Sequence, residues 1–257
     1  MNRRLVLAVI AVGLLVGLAG CTAFFGGIDD EELDREQEYG DLRDSDADVA
    51  IDVEDGSLIS SGEFRAVYDL DDQDELSLYR SNIYTDEAMD IHSVRYWYPN
   101  GTEVTGSELD IEQGQSSTEV RVPDGNGTIA FSGDAGRTTF SIQAFAEGSY
   151  EVTLPEEHRT TNILFGDVSP SGYDREIVDD QEHLYWEDVD SAISIRYYLT
   201  RDVPLFAGLA GGAVLIGAVG IAYYYRQVKR LQEKREEHGL DVDIDDDSND
   251  GPPPGMR

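Results

Sequence analysis

Two uninterrupted apolar runs frame the chain. Leu5 to Leu18 follows the basic pair Arg3-Arg4, and Val203 to Tyr225 contains no charged side chain. Between them, hydrophobic and polar positions alternate in short runs: Val49 to Val53, Phe64 to Tyr68, Leu76 to Tyr79, Val94 to Tyr98, Glu119 to Val122, Thr128 to Phe131, Thr139 to Phe145, Tyr150 to Leu154 and Ile193 to Tyr198. A period of two sends successive side chains to opposite faces, so these runs predict antiparallel strands with one face buried and one wet. Pro99-Asn100-Gly101, Asp124-Gly125-Asn126-Gly127 and Gly133-Asp134 supply the residues that turns need. Nine such runs in about 150 residues predict a mainly β fold over 47–201, an antiparallel β-sandwich that is immunoglobulin-like in the loose sense. The alternative is two small β modules meeting near Pro155, and Pro155 to Trp186 reads as the least regular part.

The flanking runs divide the rest. Arg3-Arg4, the apolar stretch and the small pair Ala19-Gly20 read as a signal peptide over 1–20. Cys21, the one cysteine in the chain, follows Leu18-Ala19-Gly20 directly and is the expected site of lipidation. The competing reading is an uncleaved N-terminal helix with a chance cysteine. Residues 21–46, rich in acid and glycine, predict a lipidated flexible tether. The second run, 203–225, is about 35 Å of helix and long enough to cross a ~30 Å hydrocarbon core. Tyr223 to Tyr225 fit an interfacial belt, and Arg226, Lys229, Arg230, Lys234 and Arg235 mark the cytoplasmic side. Residues 226–257 read as a cytoplasmic basic helix stopping at Gly239 and then a disordered acidic tail. The expected topology is a single C-terminal span, β domain outside and C-terminus inside.

Charge sharpens the picture. Of 53 acidic and 19 basic residues, 44 acids and 11 bases fall between the two ends, a net charge near −33. All eleven of those bases are arginine, and the two lysines of the chain lie just past the span. Such a surface repels itself in dilute buffer and is screened within ~3 Å at molar salt, which points to a salt-loving organism. The same acidity repels nucleic acid phosphates and argues against a nucleic acid partner.

Candidate chemistry is sparse. Asn100-Gly101-Thr102 and Asn126-Gly127-Thr128 are glycosylation sequons in predicted turns, although Asn-Gly is also what a hairpin selects. Gly208 and Gly212 form a small-residue pair in the span, suited to contact with another helix. The alternating carboxylates at Asp69-Asp71 and Asp241-Asp243-Asp245 lack the Gly and Glu of a calcium loop, and His92, His158 and His183 have no zinc spacing. No catalytic residue, cofactor or metal is therefore expected. Aromatic groups at Tyr96 to Tyr98, Tyr185-Trp186 and Tyr197-Tyr198 are expected to divide between core and surface. The expected role is a non-enzymatic surface interaction or scaffold module, with a membrane or surface protein as partner. The alternative is a receptor for a small ligand or cation that couples to the cytoplasmic segment. A wide polar cavity would favour the receptor, and an exposed aromatic patch the scaffold.

The Arg3-Arg4 start, Leu18-Ala19-Gly20-Cys21-Thr22, Tyr150 to Pro155, Gly166 to Tyr173 and Ile195 to Asp202 with the span behind it resemble a family of haloarchaeal membrane lipoproteins that carries only a domain-of-unknown-function label. The resemblance implies a moored surface protein and brings no activity or catalytic residue with it.

Overall fold

The computed structural model describes residues 27–56, 61–81 and 85–237. The expected signal segment, Cys21 and the tail from 238 onward lie outside the described residues. The chain divides into a β unit ending at Thr200 and a helical unit beginning at Arg201.

The β unit opens with two single-turn helices, α1 (Asp30–Leu33) and α2 (Gly40–Arg43). Its strands are β1 (Val49–Glu54), β2 (Gly62–Asp69), β3 (Glu75–Ser81), β4 (Asp86–Ala88), β5 (Ile91–Trp97), β6 (Glu103–Thr105), β7 (Asp110–Gln113), β8 (Thr118–Arg121), β9 (Thr128–Ala135) and β10 (Thr139–Ile142). There follow β11 (Tyr150–Thr153), β12 (His158–Arg159), β13 (Asp167–Ser169), β14 (Asp174–Val178), β15 (Gln181–Trp186), β16 (Ile193–Arg196) and β17 (Tyr198–Leu199). Eight form one sheet in the order β14-β15-β11-β1-β2-β9-β5-β6. Smaller sheets run β10-β16-β13, β4-β3-β8-β7 and β12-β17. The fold is mainly β, with several sheets.

Alternation decides what is buried. Val49, Ile51 and Val53 of β1 join Phe64, Ala66 and Tyr68 of β2, Ile129 and Phe131 of β9, Tyr150 and Val152 of β11, and Leu184 and Trp186 of β15 in one core. Leu76, Leu78 and Val120 from the four-stranded sheet and Phe140, Ile142, Ile193 and Ile195 from the three-stranded one pack into the same cluster. Tyr68 stacks on Phe131 with centroids 5.4 Å apart, and Phe64 meets Phe140 edge-on at 5.4 Å.

Two expectations about the strands need correction. Pairing is not purely antiparallel: β1 and β11 run parallel, with Val49 opposite Tyr150 and Asp52 opposite Thr153. A parallel ladder needs a long crossover, and here everything from β2 to β10 supplies it. The stretch from Pro155 to Trp186 is also not irregular. It contains four strands, and β15 pairs with β11 inside the main sheet, Tyr150 opposite Trp186.

The acidic stretch after residue 28 is likewise packed rather than a free tether. Leu33 joins the main core, while Tyr39 and Leu42 form a second apolar cluster with Ala50, Val67, Trp97 and Ala130 on the other face of the sheet. The Tyr39 hydroxyl donates to Ser93 O at 2.8 Å and lies 2.8 Å from Ser132 Oγ, and burial pushes its pKa up to about 12. Ser93 sits at a bulge in β5 with φ +55, a left-handed conformation that costs a non-glycine residue about 1 kcal/mol or more. The bulge carries the carbonyl that receives Tyr39. Arg95 Nη2 donates to Asp34 O and Arg35 O at 3.0 and 3.1 Å, and Asp34 Oδ1 and Oδ2 accept from Ser107 N and Oγ. Three scattered apolar side chains, fixed by polar contacts on both sides, therefore hold an acidic segment on the sheet.

The helical unit is one continuous helix, α3 (Asp202–Glu237), which includes the expected span 203–225 and carries on through the basic segment without a break. Its part from Asp202 to Lys234 is long and apolar enough to cross a membrane, and its apolar side chains are exposed within the chain.

The packed segment generates a test. Tyr39→Phe leaves a buried carbonyl and hydroxyl short of a partner, so urea denaturation should show a loss of about 1–2 kcal/mol. Limited proteolysis should cut residues 34–46 faster in the variant than in the parent chain. A parent cut there as readily as an unstructured peptide would contradict the packing.

Candidate functional site

On the sheet face turned away from the main core, the register lines up seven polar residues on seven strands: Glu176, His183, Thr153, Asp52, Arg65, Ser132 and His92. From β15 to β5 these positions face away from the core because their neighbours in the strand face it, and register adds Glu176 from the exposed edge strand β14.

Arg65 is its centre. Nη2 lies 2.5 Å from Asp52 Oδ2 and 2.9 Å from Asp41 Oδ2, Nη1 donates to Asp41 Oδ1 at 3.1 Å and to Glu38 O at 2.8 Å, and Nε stands 3.1 Å from Glu54 Oε1. The Arg65 and Asp52 side chains are each only 12% exposed. Burial opposes the guanidinium charge, but the hydrogen bonds to Asp41 and Asp52 outweigh it and raise the Arg65 pKa. The fork geometry lets one cation serve three carboxylates. Asp41 and Glu38 belong to the N-terminal segment, so the same guanidinium also ties that segment to the sheet.

A second cluster lies across β11 and β15. His183 Nδ1 is 2.9 Å from Glu151 Oε1 and 3.1 Å from Thr153 Oγ1, and Ser45 Oγ donates to Glu151 Oε2 at 2.7 Å. The carboxylate and the hydroxyl meet the same ring nitrogen. An imidazole that relays a proton in hydroxyl activation stands between the two, one on each nitrogen, so this is a structural hydrogen-bond cluster. At the far end of the row, His92 Nε2 faces Glu63 Oε1 at 3.1 Å, and burial holds its pKa below the ordinary histidine value against the pull of Glu63. A cavity of about 380 Å³ lies between the row and the N-terminal segment, lined by Asp41, Asp44, Ser45, Asp52, Arg65, Glu151, Thr153 and His183 among others. Asp52 Oδ1 is buried and takes no hydrogen bond from the protein.

Elsewhere on the β unit, an open cleft of about 1100 Å³ is lined by Asp48, Asp69, Asp71, Asp72, Glu147, Asp188 and Asp190. Asp48 accepts from Ser149 N and Oγ at 2.8 and 2.7 Å, and these bonds hold its pKa below the usual carboxylate value. Among the described residues no three His, Cys, Asp or Glu side chains converge as a metal-binding set.

The residues singled out in the sequence are scattered. Asn100 is exposed in the β5–β6 turn, where its Oδ1 accepts Thr102 N at 2.9 Å, and Asn126 is exposed between β8 and β9. A Cβ on Gly127 would fall 2.1 Å from Tyr96 Oη and 2.6 Å from Trp97 O, so that glycine answers to a close approach of strand β5. Gly208 and Gly212 have open space about them on the single chain. His158 lies on β12 with its ring edge-on to Tyr197, apart from the row. Tyr96, Trp97, Trp186 and Tyr197 are buried, whereas Tyr98, Tyr185 and Tyr198 are half-buried. Cys21 and the carboxylates from Asp241 to Asp245 lie outside the described residues. Sequence reading missed Arg65, Asp52 and Glu151. The one local signal was a basic residue at an outward position of a strand in so acidic a chain.

Arg65→Met should cost about 3–5 kcal/mol in chemical denaturation, because it strands a buried Asp52 charge. Arg65→Met combined with Asp52→Leu should recover most of that loss. A single variant within about 1 kcal/mol of the parent would show the cluster to be solvated instead.

Comparison with solved structures returns likeness at low identity. An aminopeptidase N family protein from Idiomarina loihiensis shares 11% identity over 58% of this chain and 29% of its own, with a TM-score of 0.34. An M1 zinc metallopeptidase from Deinococcus radiodurans, bound to a Tyr-Ser-Ala substrate, shares 11% over 58% and 41%, with a TM-score of 0.33. The chain thus spans less than half the length of either, and overlap this weak carries no argument about its role. No curated protein matches. A family model does, over residues 45–243, which takes in the sheets from β1 onward together with α3, and the chain accordingly belongs to the family of unknown function DUF5803.

Proposed function

We propose that this protein is a cell-surface lipoprotein of a halophilic archaeon, a β-sandwich moored at the outer face of the membrane that acts by contact rather than by turnover. The observation that carries the reading is α3. Its apolar side chains from Leu205 to Ile221 are exposed, whereas most large apolar side chains among the described residues of the β unit are buried, and its far end carries Arg226, Lys229, Arg230 and Lys234. A bilayer covers the first, and a cytoplasmic leaflet suits the second. Lipid on Cys21 adds an anchor at the other end; one acyl chain alone holds only weakly, and α3 supplies the stable attachment. The exterior charge near −33, with arginine as its only base, supports the halophilic habitat.

A second reading, a receptor for a small cationic ligand, has specific support. The broad cleft lined by Asp48, Asp69, Asp71, Asp188 and Asp190 and the unmatched Asp52 Oδ1 both favour a donor-rich cation, and the burial of Trp97 and Trp186 removes the largest rings from any contact patch. Glycans at Asn100 and Asn126 and a helix contact through Gly208 and Gly212 are compatible with either role.

Topology decides the shared part. Protease added to intact cells should destroy residues 27–200 and spare a fragment ending at Arg257, and mass spectrometry of the mature N-terminus should find a lipid on Cys21 with residues 1–20 gone. A protected β unit, or an unmodified Cys21 behind an intact Met1, would overturn the mooring. Affinity purification from membranes in concentrated salt then separates the roles: a retained protein partner supports the contact module, and its absence alongside measurable polyamine binding supports the receptor.

A further inference from the structure

Among the described residues of the β unit, four large apolar side chains stand exposed: Ile163 at 92%, Leu164 at 71%, Ile177 at 53% and Val178 at 43%. In a unit otherwise covered by carboxylates they are out of place, and their positions share one property. All lie on segments tied to the strand from which the chain leaves for α3.

That strand is β17. It pairs with β12, His158 opposite Leu199 and Arg159 opposite Tyr198. Just beyond it, Thr200 N donates to Glu157 O at 3.0 Å, and Glu157 N donates to Asp180 O at 3.2 Å. Arg159 Nη1 also donates to Asp180 O, at 3.2 Å. Asp180 stands two residues past Val178, and Thr200 two residues before Asp202, the first residue of α3. The Ile177-Val178 pair is therefore fixed beside the exit of the chain.

Ile163 and Leu164 lie on a loop whose two ends touch the same strand at the Tyr198 side chain. Thr161 Oγ1 lies 3.2 Å from Tyr198 Oη, and the Phe165 ring is 5.9 Å from the Tyr198 ring. The loop between is closed on itself: Asn162 Oδ1 accepts Leu164 N at 2.9 Å, and Asn162 O accepts Phe165 N and Gly166 N at 3.0 and 2.7 Å. Thr160, where the loop leaves β12, donates its N–H to the fully buried Glu182 at 3.0 Å, and Glu182 is neutralised by Arg175 Nε at 2.7 Å. Ile163 and Leu164 are thus held outward on a built turn rather than left loose. From Tyr198 to Asp202 the chain reaches at most about 14 Å. The strand to which both apolar pairs are bonded is thus only a few residues in sequence from the expected span.

We propose that Ile163, Leu164, Ile177 and Val178 form an apolar collar on the β unit that sinks into the headgroup and acyl boundary of the membrane, docking that unit on lipid. The inference rests on the reading of α3 as a membrane span. Shallow burial of four such side chains recovers the apolar surface they leave in water. Asp179 and Asp180 adjoin the collar, so the contact is made by the apolar groups and is strengthened by salt.

The test uses the full chain with Cys21→Ser, carrying a single new cysteine labelled with an environment-sensitive fluorophore. The chain is placed in vesicles of phosphatidylcholine and phosphatidylglycerol containing a lipid with a nitroxide high on its acyl chain. Labels go on Ile163→Cys, on Leu209→Cys within α3, and on Asn100→Cys in the β5–β6 turn. The collar predicts blue-shifted emission at position 163 and at least about twofold stronger lipid quenching there than at position 100. If position 209 is quenched and 163 behaves like 100, the span stands and the collar is refuted. If 209 is also unquenched, the span fails and the collar with it. A shifted but lipid-insensitive label at 163 would mean a protein, such as a second copy, covers the patch, and would equally overturn the proposal.

Discussion

Arg65 shows in one side chain the constraint under which the whole β unit is built. Forty-four acidic residues share eleven arginines between residues 5 and 225, so a single cation can be called on to satisfy several anions at once. Arg65 does so for Asp41, Asp52 and Glu54, and Arg121 does so on the surface for Glu75, Asp110 and Glu112. The planar five-donor fork of arginine suits this sharing better than the compact three-donor ammonium of lysine. The absence of lysine before residue 229 is thereby a structural matter as well as one of solubility.

The arginines also determine what the main sheet can carry on its outer face. Arg65 and Arg95 reach backbone carbonyls at Glu38, Asp34 and Arg35, converting an acidic stretch into a strap. Tyr39 and Leu42 then close over Ala50, Val67 and Ala130, which would otherwise be wet. The same logic operates in β15, where a fully buried Glu182 is tolerated because Arg175 and Thr160 meet both its oxygens. Polar groups at inward positions cost stability unless matched in this way.

What the sequence displays and what it hides follow from these contacts. Strands such as β1, β2, β9 and β11 were legible because Val49-Ile51-Val53, Phe64-Ala66-Tyr68 and their partners keep strict alternation. Strand β15 was not, since the inward set Glu182, Leu184, Trp186 begins with a carboxylate whose counter-charge comes from a different strand. The strap escaped notice because Leu33, Tyr39 and Leu42 share no helical or strand period in a run whose composition resembles disorder. The polar row was invisible for a different reason: Asp52, Arg65, Ser132, Thr153 and His183 meet only through register, and the parallel β1–β11 ladder that sets it spans most of the domain. The exposed apolar pairs gave no signal either, since Ile163-Leu164 reads as a loop and Ile177-Val178 as the end of a short edge strand.

If sparse arginines and screening ions together hold the β unit, its stability must follow ionic strength. Buried Trp97, Trp186, Tyr68 and Tyr150 give a near-ultraviolet circular dichroism signal that reports its tertiary packing in the full chain, in a nonionic detergent. Thermal melts from dilute to multimolar KCl should show a melting temperature that climbs steadily as the Debye length falls to a few Å. A melting temperature that stays level or drops across that range would contradict the claim that charge repulsion, relieved by shared arginines and salt, governs this fold.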